Sequence, residues 1–360
     1  MPTKIEWTQS DDGVSGETWN VVRGCSRVSP GCGGAAGVGG CYAERQAARQ
    51  SGPGGAYEGL VRLGKQGPRW TGKVILVPDK LLAPMSWKKP RRIFVNSMSD
   101  MFHEELSNEA IATIFAVMAA CPQHTFQILT KRATRMREWF AWLDRESLTC
   151  NAGRGMPHVG RCLVEAQRVC DQHVDYKAWA PLRETTAIMA APWPLPNVWL
   201  GVSVETQAYA DSRLPELLRC PASVRFVSYE PALGPVSFAQ WLRPGCRWTG
   251  PVPPHWLGAH NPRSCSNDEH RGPALDWIIV GGESGPGART FDVEWARSVV
   301  RECESAKVAC FVKQLGRKPV TRSTAAPHFE VPMALVHRKG NDMDEWPMEL
   351  RVRQWPHPGA

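Results

Sequence analysis

Short, continuously apolar runs recur along this 360-residue chain, and each one ends in polar residues. Antiparallel strands usually alternate apolar and polar residues, so continuous runs of Val, Ile, Leu and Phe are typical of parallel strands buried on both faces. We identify seven such runs: WNVVRGC, RRIFVNSMSD, HTFQILTKR, NVWLGVSVE, SVRFVSYEP, LDWIIVGGESG and VACFVKQLG.

Helical patterns lie between several of the runs. Ser107 is the expected N-cap of a helix in SNEAIATIFAVMAAC, and Asp292 is the expected start of a helix in DVEWARSVVRECESAKV. Strand–helix alternation predicts the α/β class, and we expect a full or partial parallel (β/α) barrel, similar to a TIM barrel. A plain open sheet with polar loops is the alternative.

Two stretches interrupt this alternation and are predicted to be insertions on the rim of the barrel. They span about residues 143–194 and 242–274, within a barrel domain over 1–316, and residues 317–360 form a C-terminal extension. The second stretch contains candidate zinc ligands, although their spacing matches no compact finger template; they are Cys246, His255, His260, Cys265 and His270. A loose surface loop is the alternative interpretation.

The loop GCSRVSPGCGGAAGVGGCYAER contains Cys25, Cys32 and Cys41 but almost no bulky apolar residue, so it cannot pack a core of its own. A closed structural zinc site needs four ligands, whereas three thiolates can hold a four-iron cluster with one iron left open. Glycine permits turns that aim backbone N–H groups at such a cluster. Because the loop follows the first predicted strand, the metal would lie at the mouth of the barrel.

This loop, followed in order by NSMSDMFHE, ILTKR, WLGVSVE, FVSYEPALGP, IIVGGESGPGAR and FVKQLG, resembles a phage-associated family of three-cysteine proteins that are considered radical-SAM-like. The resemblance implies a [4Fe–4S] cluster on the three cysteines, S-adenosylmethionine at the open iron, and hydrogen abstraction by a 5′-deoxyadenosyl radical. One departure is that eight residues separate Cys32 from Cys41, whereas the family pattern has two.

If the resemblance holds, the polar residues at the strand ends take roles around the cofactor. Ser203, Glu205, the stretch Gly281, Gly282, Glu283 and Ser284, and Arg289 are expected to bind the cofactor. Asp100, His103, Glu104, Glu230 and Lys313 are candidates for catalysis or substrate binding, and Lys131 and Arg132 for contact with phosphate. For each residue alone, a structural ion pair or helix cap is an equal alternative.

The formal net charge of +8 suits a nucleic-acid or nucleotide substrate, although an ordinary basic surface explains it as well. No run of about 18 apolar residues predicts a membrane span, and the N-terminus lacks a signal-peptide pattern, so we expect a cytoplasmic protein. The resemblance implies that it is encoded by a phage or prophage. The radical mechanism also requires an electron donor. Two alternatives stay open: a divalent-metal hydrolase or nuclease using Asp100, His103, Glu205 and Glu230, and a non-catalytic zinc-binding protein.

Overall fold

A computed structural model describes residues 3–10, 13–33, 40–149, 156–183, 186–242, 273–322 and 330–356. The strands in chain order are β1 (Glu17–Trp19), β2 (Val22–Arg23), β3 (Val61–Gly64), β4 (Gly67–Trp70), β5 (Ile75–Leu76), β6 (Arg92–Val95), β7 (Thr125–Thr130), β8 (Val198–Ser203), β9 (Val224–Tyr229), β10 (Trp277–Gly281), β11 (Phe291–Asp292), β12 (Ala309–Gln314), β13 (Pro319–Arg322) and β14 (Glu330–Pro332). The α-helices are α1 (Tyr42–Ala48), α2 (Pro78–Leu81), α3 (Asn108–Ala119), α4 (Ala133–Thr149), α5 (His158–His173), α6 (Tyr176–Arg183), α7 (Thr186–Met189), α8 (Gln207–Leu218) and α9 (Val293–Ala306).

A seven-stranded parallel sheet forms the centre of the molecule, in the order β1-β6-β7-β8-β9-β10-β12. The order follows the chain without reversal, as in a (β/α) barrel. The sheet curls into a half-barrel, with β1 and β12 as its two edge strands within the described residues. The prediction of a partial parallel barrel is therefore confirmed.

The half-barrel buries apolar side chains on both of its faces, because strand residues alternate between the two faces. On β9, Phe226 joins the core on the concave face and Val227 joins the core beneath the helices. The concave core also contains large rings from neighbouring strands and from the N-terminus, namely Trp7, Trp199, Trp277 and Phe311. This core fills the half-barrel near the start of the strands and leaves the C-terminal ends of the strands free for a cavity.

The predicted helix starts at Ser107 and Asp292 are confirmed. The Ser107 hydroxyl accepts a hydrogen bond from the Ala110 amide at 3.1 Å, and the Asp292 carboxylate accepts one from the Glu294 amide at 3.0 Å. Each cap satisfies an N–H group that has no partner in the first helical turn.

The two ends of the chain meet beside the β12 edge. The Trp355 indole donates to the carbonyl oxygen of Trp7 at 3.1 Å, and the amide of Val312 donates to the carbonyl oxygen of Val352 at 2.8 Å. An isolated bridge also pairs Phe311 with Arg353. The segment after residue 317 therefore covers an edge strand, which would otherwise expose unpaired backbone groups.

The first apolar run, WNVVRGC, does not form a single barrel strand, and that prediction was wrong. The barrel strand is β1, which ends at Trp19, whereas β2 pairs antiparallel with β5 outside the barrel sheet. The break occurs at Asn20, whose side-chain oxygen accepts the Met98 amide at 3.1 Å in place of a ladder hydrogen bond. The chain thus turns away from the sheet before it reaches Cys25.

The stretch predicted as the first insertion is helical in the part that the structure describes, and α5 packs against α3 and α4. Most of the second insertion, with its candidate zinc ligands, lies outside the described residues, in 243–272. Within the described residues, no helix combines the length and the apolar character needed to cross a bilayer.

Candidate functional site

A cavity of about 330 Å³ opens at the C-terminal ends of the parallel strands, where barrel enzymes place their active sites. Its floor includes Phe94 and Leu129, which also pack on the concave core. Its walls combine polar strand-end residues with the cysteine loop and α1; they include Asp100, Lys131, Arg132, Ser203, Glu230, Glu283, Ser284 and Gln314.

All three cysteines of the glycine-rich loop line this cavity. Cys25 follows β2, Cys32 ends a short 3₁₀ turn that begins at Pro30, and Cys41 directly precedes α1. The eight-residue spacing between the last two cysteines therefore does not carry Cys41 away from the other two thiols. All three thiols are free of disulfide bonds.

The three thiols influence one another electrostatically. Burial raises the pKa of the Cys25 thiol to about 12, with further contributions from the neighbouring Asp100 carboxylate, Cys41 and Cys32, while Arg132 opposes the rise. Burial is also the main cause of the raised pKa of Cys41, to which Cys32 adds. Metal ions bind thiolates, so a bound metal would displace the protons that this environment retains.

Arg132 connects the end of β7 to the loop that carries Cys25. Its guanidinium donates to Ser26 Oγ at 2.7 Å, to the carbonyl oxygen of Ser26 at 3.1 Å and to Cys25 Sγ at 3.9 Å. It also pairs with Asp100 at 3.1 Å and with Glu104 at 2.8 Å. Arg132, for which the sequence predicts phosphate contact, thus binds the segment that carries Cys25; the phosphate role stays a prediction.

Asp100 and His103 take part in the same network. The Asp100 carboxylate accepts from Thr130 Oγ1 at 2.7 Å and from the amides of Phe102 and Lys131 at 3.0 and 3.1 Å. His103 Nδ1 accepts the Glu105 amide at 3.1 Å, which leaves Nε2 as the protonated nitrogen facing Ser26 Oγ at 2.9 Å.

Burial and the nearby Arg132 lower the pKa of His103, so its ring is neutral at pH 7. Both side chains position the cysteine loop, and Asp100 has no oxygen free of protein donors.

Glu205 is fully buried beneath the cysteine loop and joins it to β8. Its carboxylate accepts from Ser29 Oγ at 2.7 Å, from Arg213 at 2.9 Å and from Lys131 Nζ at 3.2 Å. Lys131 also contacts Ser203 Oγ. Glu205, Ser203 and Lys131, assigned to the cofactor and to phosphate from sequence, thus contact one another, and Glu205 supports the loop directly.

Glu283 and Arg289 hold the other side of the loop. The Glu283 carboxylate pairs with the Arg289 guanidinium at 3.0 Å and accepts the Gly40 amide at 3.3 Å. Arg289 in turn donates to the carbonyl oxygen of Pro30 at 2.8 Å. The two residues therefore clamp the loop on both sides of Cys32.

The glycines at the C-terminal end of β10 have a packing role, since a Cβ at Gly282 would come within 2.5 Å of the Leu315 carbonyl oxygen and one at Gly281 within 3.2 Å of the Gln314 carbonyl oxygen. Ser284 lines the cavity beside them.

Glu230 and Lys313 form an ion pair across the floor of the half-barrel. Lys313 Nζ lies 2.7 and 2.9 Å from the two carboxylate oxygens, and Gln314 Nε2 donates to the same carboxylate at 3.1 Å. Although burial alone would lower it, the pKa of Lys313 is raised because of Glu230. The pair joins the ends of β9 and β12, which lie on either side of β10 in the sheet, and Glu230 lines the cavity.

Sequence reasoning missed Arg45, which lies one helical turn after Cys41 and lines the cavity. It also missed Trp70, a wall residue brought in by the β3–β4 hairpin, and Phe94 on the floor. The position of Arg45 four residues after a cysteine that precedes a helix could have indicated it, because residues i and i+4 share one helix face. No local signal indicates Trp70.

Within the described residues, no three His, Cys, Asp or Glu side chains have the spacing needed to hold a single metal ion. Ligands of an iron–sulfur cluster bind separate irons, so they do not need to converge on one point. The donor set of three thiols at one cavity suits a cluster. Asp100, His103, Glu205 and Glu230, the set considered for a divalent ion, are each bound by different protein groups.

Comparison with known proteins places this chain in one family. No curated protein and no solved structure matches it. The profile of a family described as "Protein of unknown function (DUF5131)" matches residues 2–346, nearly the whole chain. The chain therefore belongs to that DUF5131 family.

Proposed function

We propose that this protein is a radical-SAM-like iron–sulfur enzyme that modifies or repairs a nucleic-acid base or a nucleotide-derived group. The observation that carries the proposal is the position of Cys25, Cys32 and Cys41 along one cavity at the C-terminal mouth of a parallel half-barrel. Three thiols at such a mouth provide one ligand fewer than a closed four-ligand site. The phage association of the resembling family and the positive net charge support the substrate class.

The three cysteines would hold a [4Fe–4S] cluster, which supplies the electron for reductive cleavage of S-adenosylmethionine. The protein contributes position and exclusion of water. Arg132 and Glu205 fix the cysteine loop from below, and Glu283 and Arg289 clamp it from the side. Phe94 and Leu129 provide an apolar floor on which a planar ring can stack.

Glu230, held by Lys313 Nζ at 2.7 Å, lines the cavity beside that floor and would accept hydrogen bonds from a substrate. Lys313 is protonated and donates, whereas the Glu230 carboxylate accepts. The pair bridges the ends of β9 and β12 across β10, and Gln314 also donates to Glu230, so the carboxylate is held in place. We expect it to orient the substrate relative to the cofactor.

Anaerobic reconstitution with iron and sulfide tests the proposal. The wild type should bind about four irons and four sulfides per chain, with the absorbance of a [4Fe–4S] cluster. Cys25→Ser, Cys32→Ser and Cys41→Ser should each lower the iron content sharply. The control is Cys121→Ala, because Cys121 is buried in the helical core away from the cavity.

Reduction of the reconstituted protein with dithionite should then convert S-adenosylmethionine into 5′-deoxyadenosine and methionine. Wild-type protein that takes up no iron would contradict the proposal. Tight binding of zinc instead of iron would favour the zinc-binding alternative. Activity on nucleic acid that survives all three cysteine substitutions would favour the divalent-metal hydrolase.

A further inference from the structure

Arg45 is an unpaired cation on the cavity wall. Its side chain is half-buried, lines the cavity, and makes no hydrogen bond or ion pair with any described residue. A half-buried charge without a partner is costly, and this cost marks Arg45 as a candidate ligand-binding group.

Among the described residues, the other cations at or beside the cavity are each paired with a carboxylate; they are Lys131 with Glu205, Arg132 with Asp100, Arg289 with Glu283, and Lys313 with Glu230. Glu283 binds the amide of Gly40, directly beside Arg45, but its carboxylate already pairs with Arg289. Two guanidinium groups therefore lie near one carboxylate. This corner of the cavity has a surplus of positive charge.

Two glycines from separate loops make room for the Arg45 guanidinium. A Cβ at Gly40 would overlap Nη1, and a Cβ at Gly285 would come within 2.6 Å of Nη2. The guanidinium therefore lies between the cysteine loop and the loop after β10. Because both loops have glycine at these positions, the guanidinium fits between them at the cavity wall.

We propose that Arg45 binds the anionic group of the molecule that occupies this cavity, through the paired N–H donors that guanidinium offers to carboxylate and phosphate. That anion is either the carboxylate of a sulfonium cofactor, an assignment that rests on the proposed function, or a phosphate of the substrate. The structure gives the role of anion binding to Arg45 and not to Arg289, which Glu283 neutralises.

Binding measurements with two pairs of probes test this assignment. S-adenosylmethionine is compared with 5′-methylthioadenosine, which lacks the carboxylate, and thymidine dinucleotide is compared with its uncharged methylphosphonate. Arg45→Gln should weaken the charged member of one pair by about 10- to 100-fold, as expected for a charged hydrogen bond, and leave its neutral partner unchanged. Arg49→Gln is the matched control, because Arg49 is exposed one turn further on and contacts Gln46.

The proposal is overturned if Arg45→Gln binds both charged probes like the wild type, if charged and neutral probes weaken equally, or if the wild type binds neither charged probe. All titrations are run with and without reconstituted cluster. The phosphate pair needs no iron, so a failure to form a cluster would remove the proposed function but leave this test intact.

A second inference rests on the β3–β4 hairpin. Arg62 and Arg69 lie directly opposite each other in its register, and like charges in this arrangement destabilise a strand pair. Lys65 and the exposed Leu63, 72% accessible, lie near its tip, and residues 61–70 contain no acidic side chain. Arg69 is offset by the Glu44 carboxylate at 3.9 Å, whereas Arg62 and Lys65 are exposed and face solvent, where they suit a polyanion.

The base of the hairpin is fixed beside the cavity. Val61 and Trp70 are buried against α1, and Trp70 also lines the cavity wall. We infer that the hairpin binds the backbone of a nucleic acid and guides it to the cavity mouth, since Lys and Arg neutralise phosphates and an exposed apolar side chain can contact a base. This inference depends on the register and charge of the hairpin, and not on iron binding.

Fluorescence anisotropy with a labelled 20-base single strand and the matching duplex tests this surface over a range of salt concentrations. The Arg62→Gln/Lys65→Gln double variant should reduce the slope of log K against log salt by about 1.4 to 1.8, because each neutralised phosphate contributes about 0.7 to 0.9. The control, Lys88→Gln/Lys89→Gln, alters two exposed lysines that precede β6, at the opposite end of the strands.

Equal slopes for the wild type and the hairpin variant would overturn the inference. An equal reduction of the slope in the control variant would also overturn the inference, because it would assign the effect to net charge alone. Wild-type protein that binds neither nucleic acid would also exclude this role.

Discussion

The carboxylate of Glu205 is the most informative single target, because it is fully buried and supports the cysteine loop from below. It accepts hydrogen bonds from Ser29, Lys131 and Arg213, and therefore joins the loop, β7 and α8. Glu205→Gln retains the shape of the side chain but removes its charge. We expect this change to destabilise the protein and to lower its capacity for iron.

The size of the expected loss in the free energy of unfolding follows from the two cations that lose their charged partner. Removal of one member of a buried ion pair costs about 3 to 5 kcal/mol. Arg213 is 7% exposed and is affected fully, whereas Lys131 is 20% exposed and is partly solvated. The glutamine oxygen still accepts the Ser29 hydroxyl. We therefore expect a loss of about 3 kcal/mol in the free energy of unfolding.

Urea unfolding under reducing conditions, followed by circular dichroism, measures this loss. Ser29→Ala should cost about 1 to 2 kcal/mol in the wild type and less in the Glu205→Gln background, because the two groups interact directly. A Glu205→Gln variant that unfolds within about 0.5 kcal/mol of the wild type would refute the reasoning. Equal costs for Ser29→Ala in both backgrounds would show that the Ser29 contact contributes nothing.

Three further outcomes follow from the structure. Gly31→Ala should destabilise the cysteine loop and reduce iron uptake, because its Cβ would overlap the Glu205 carboxylate; normal iron uptake would contradict this. Arg132→Lys should lower iron content with little change in overall helicity, since a lysine cannot reproduce the forked contacts with Ser26 and Asp100; full iron occupancy would count against the loop-positioning role. His124 is buried and its pKa is lowered by burial, so stability should fall as the pH drops below about 6.5. The unfolded chain binds the proton more readily, and His124→Asn should therefore reduce this acid sensitivity in urea titrations; an unchanged pH profile would exclude the effect.

Much of the fold was predictable from the sequence because buried parallel strands have a strong local signature. Six of the seven apolar runs contain barrel strands in the expected order, from β6 to β12. The exception, WNVVRGC, failed at Asn20, whose side chain takes over a hydrogen bond that a strand would make. From the sequence alone, a single polar residue inside an apolar run does not reveal whether the strand ends there.

The candidate site was predictable in outline but not in its internal pairing. Several of the predicted strand-end residues line one cavity, where the C-terminal ends of parallel strands meet; they are Asp100, Lys131, Arg132, Ser203, Glu230, Glu283 and Ser284. However, residues assigned from sequence to cofactor or phosphate, such as Glu205, Arg132 and Arg289, contact the cysteine loop or one another. The sequence shows which charges lie near the site and not which of them neutralise each other.

The sequence by itself predicted a full or partial parallel barrel and three cysteines in a loop near its mouth, because strand burial and glycine content are local properties. Only the tertiary structure decided which charges remain unpaired. Pairing depends on contacts between residues far apart in the chain, such as Arg132 with Ser26 or Glu205 with Ser29. Arg45 lies next to the cysteine motif in sequence, but the sequence alone does not show that it lacks a carboxylate partner. Its role as a candidate ligand-binding group follows from the structure, where the other described cations at or beside the cavity are each paired with a carboxylate.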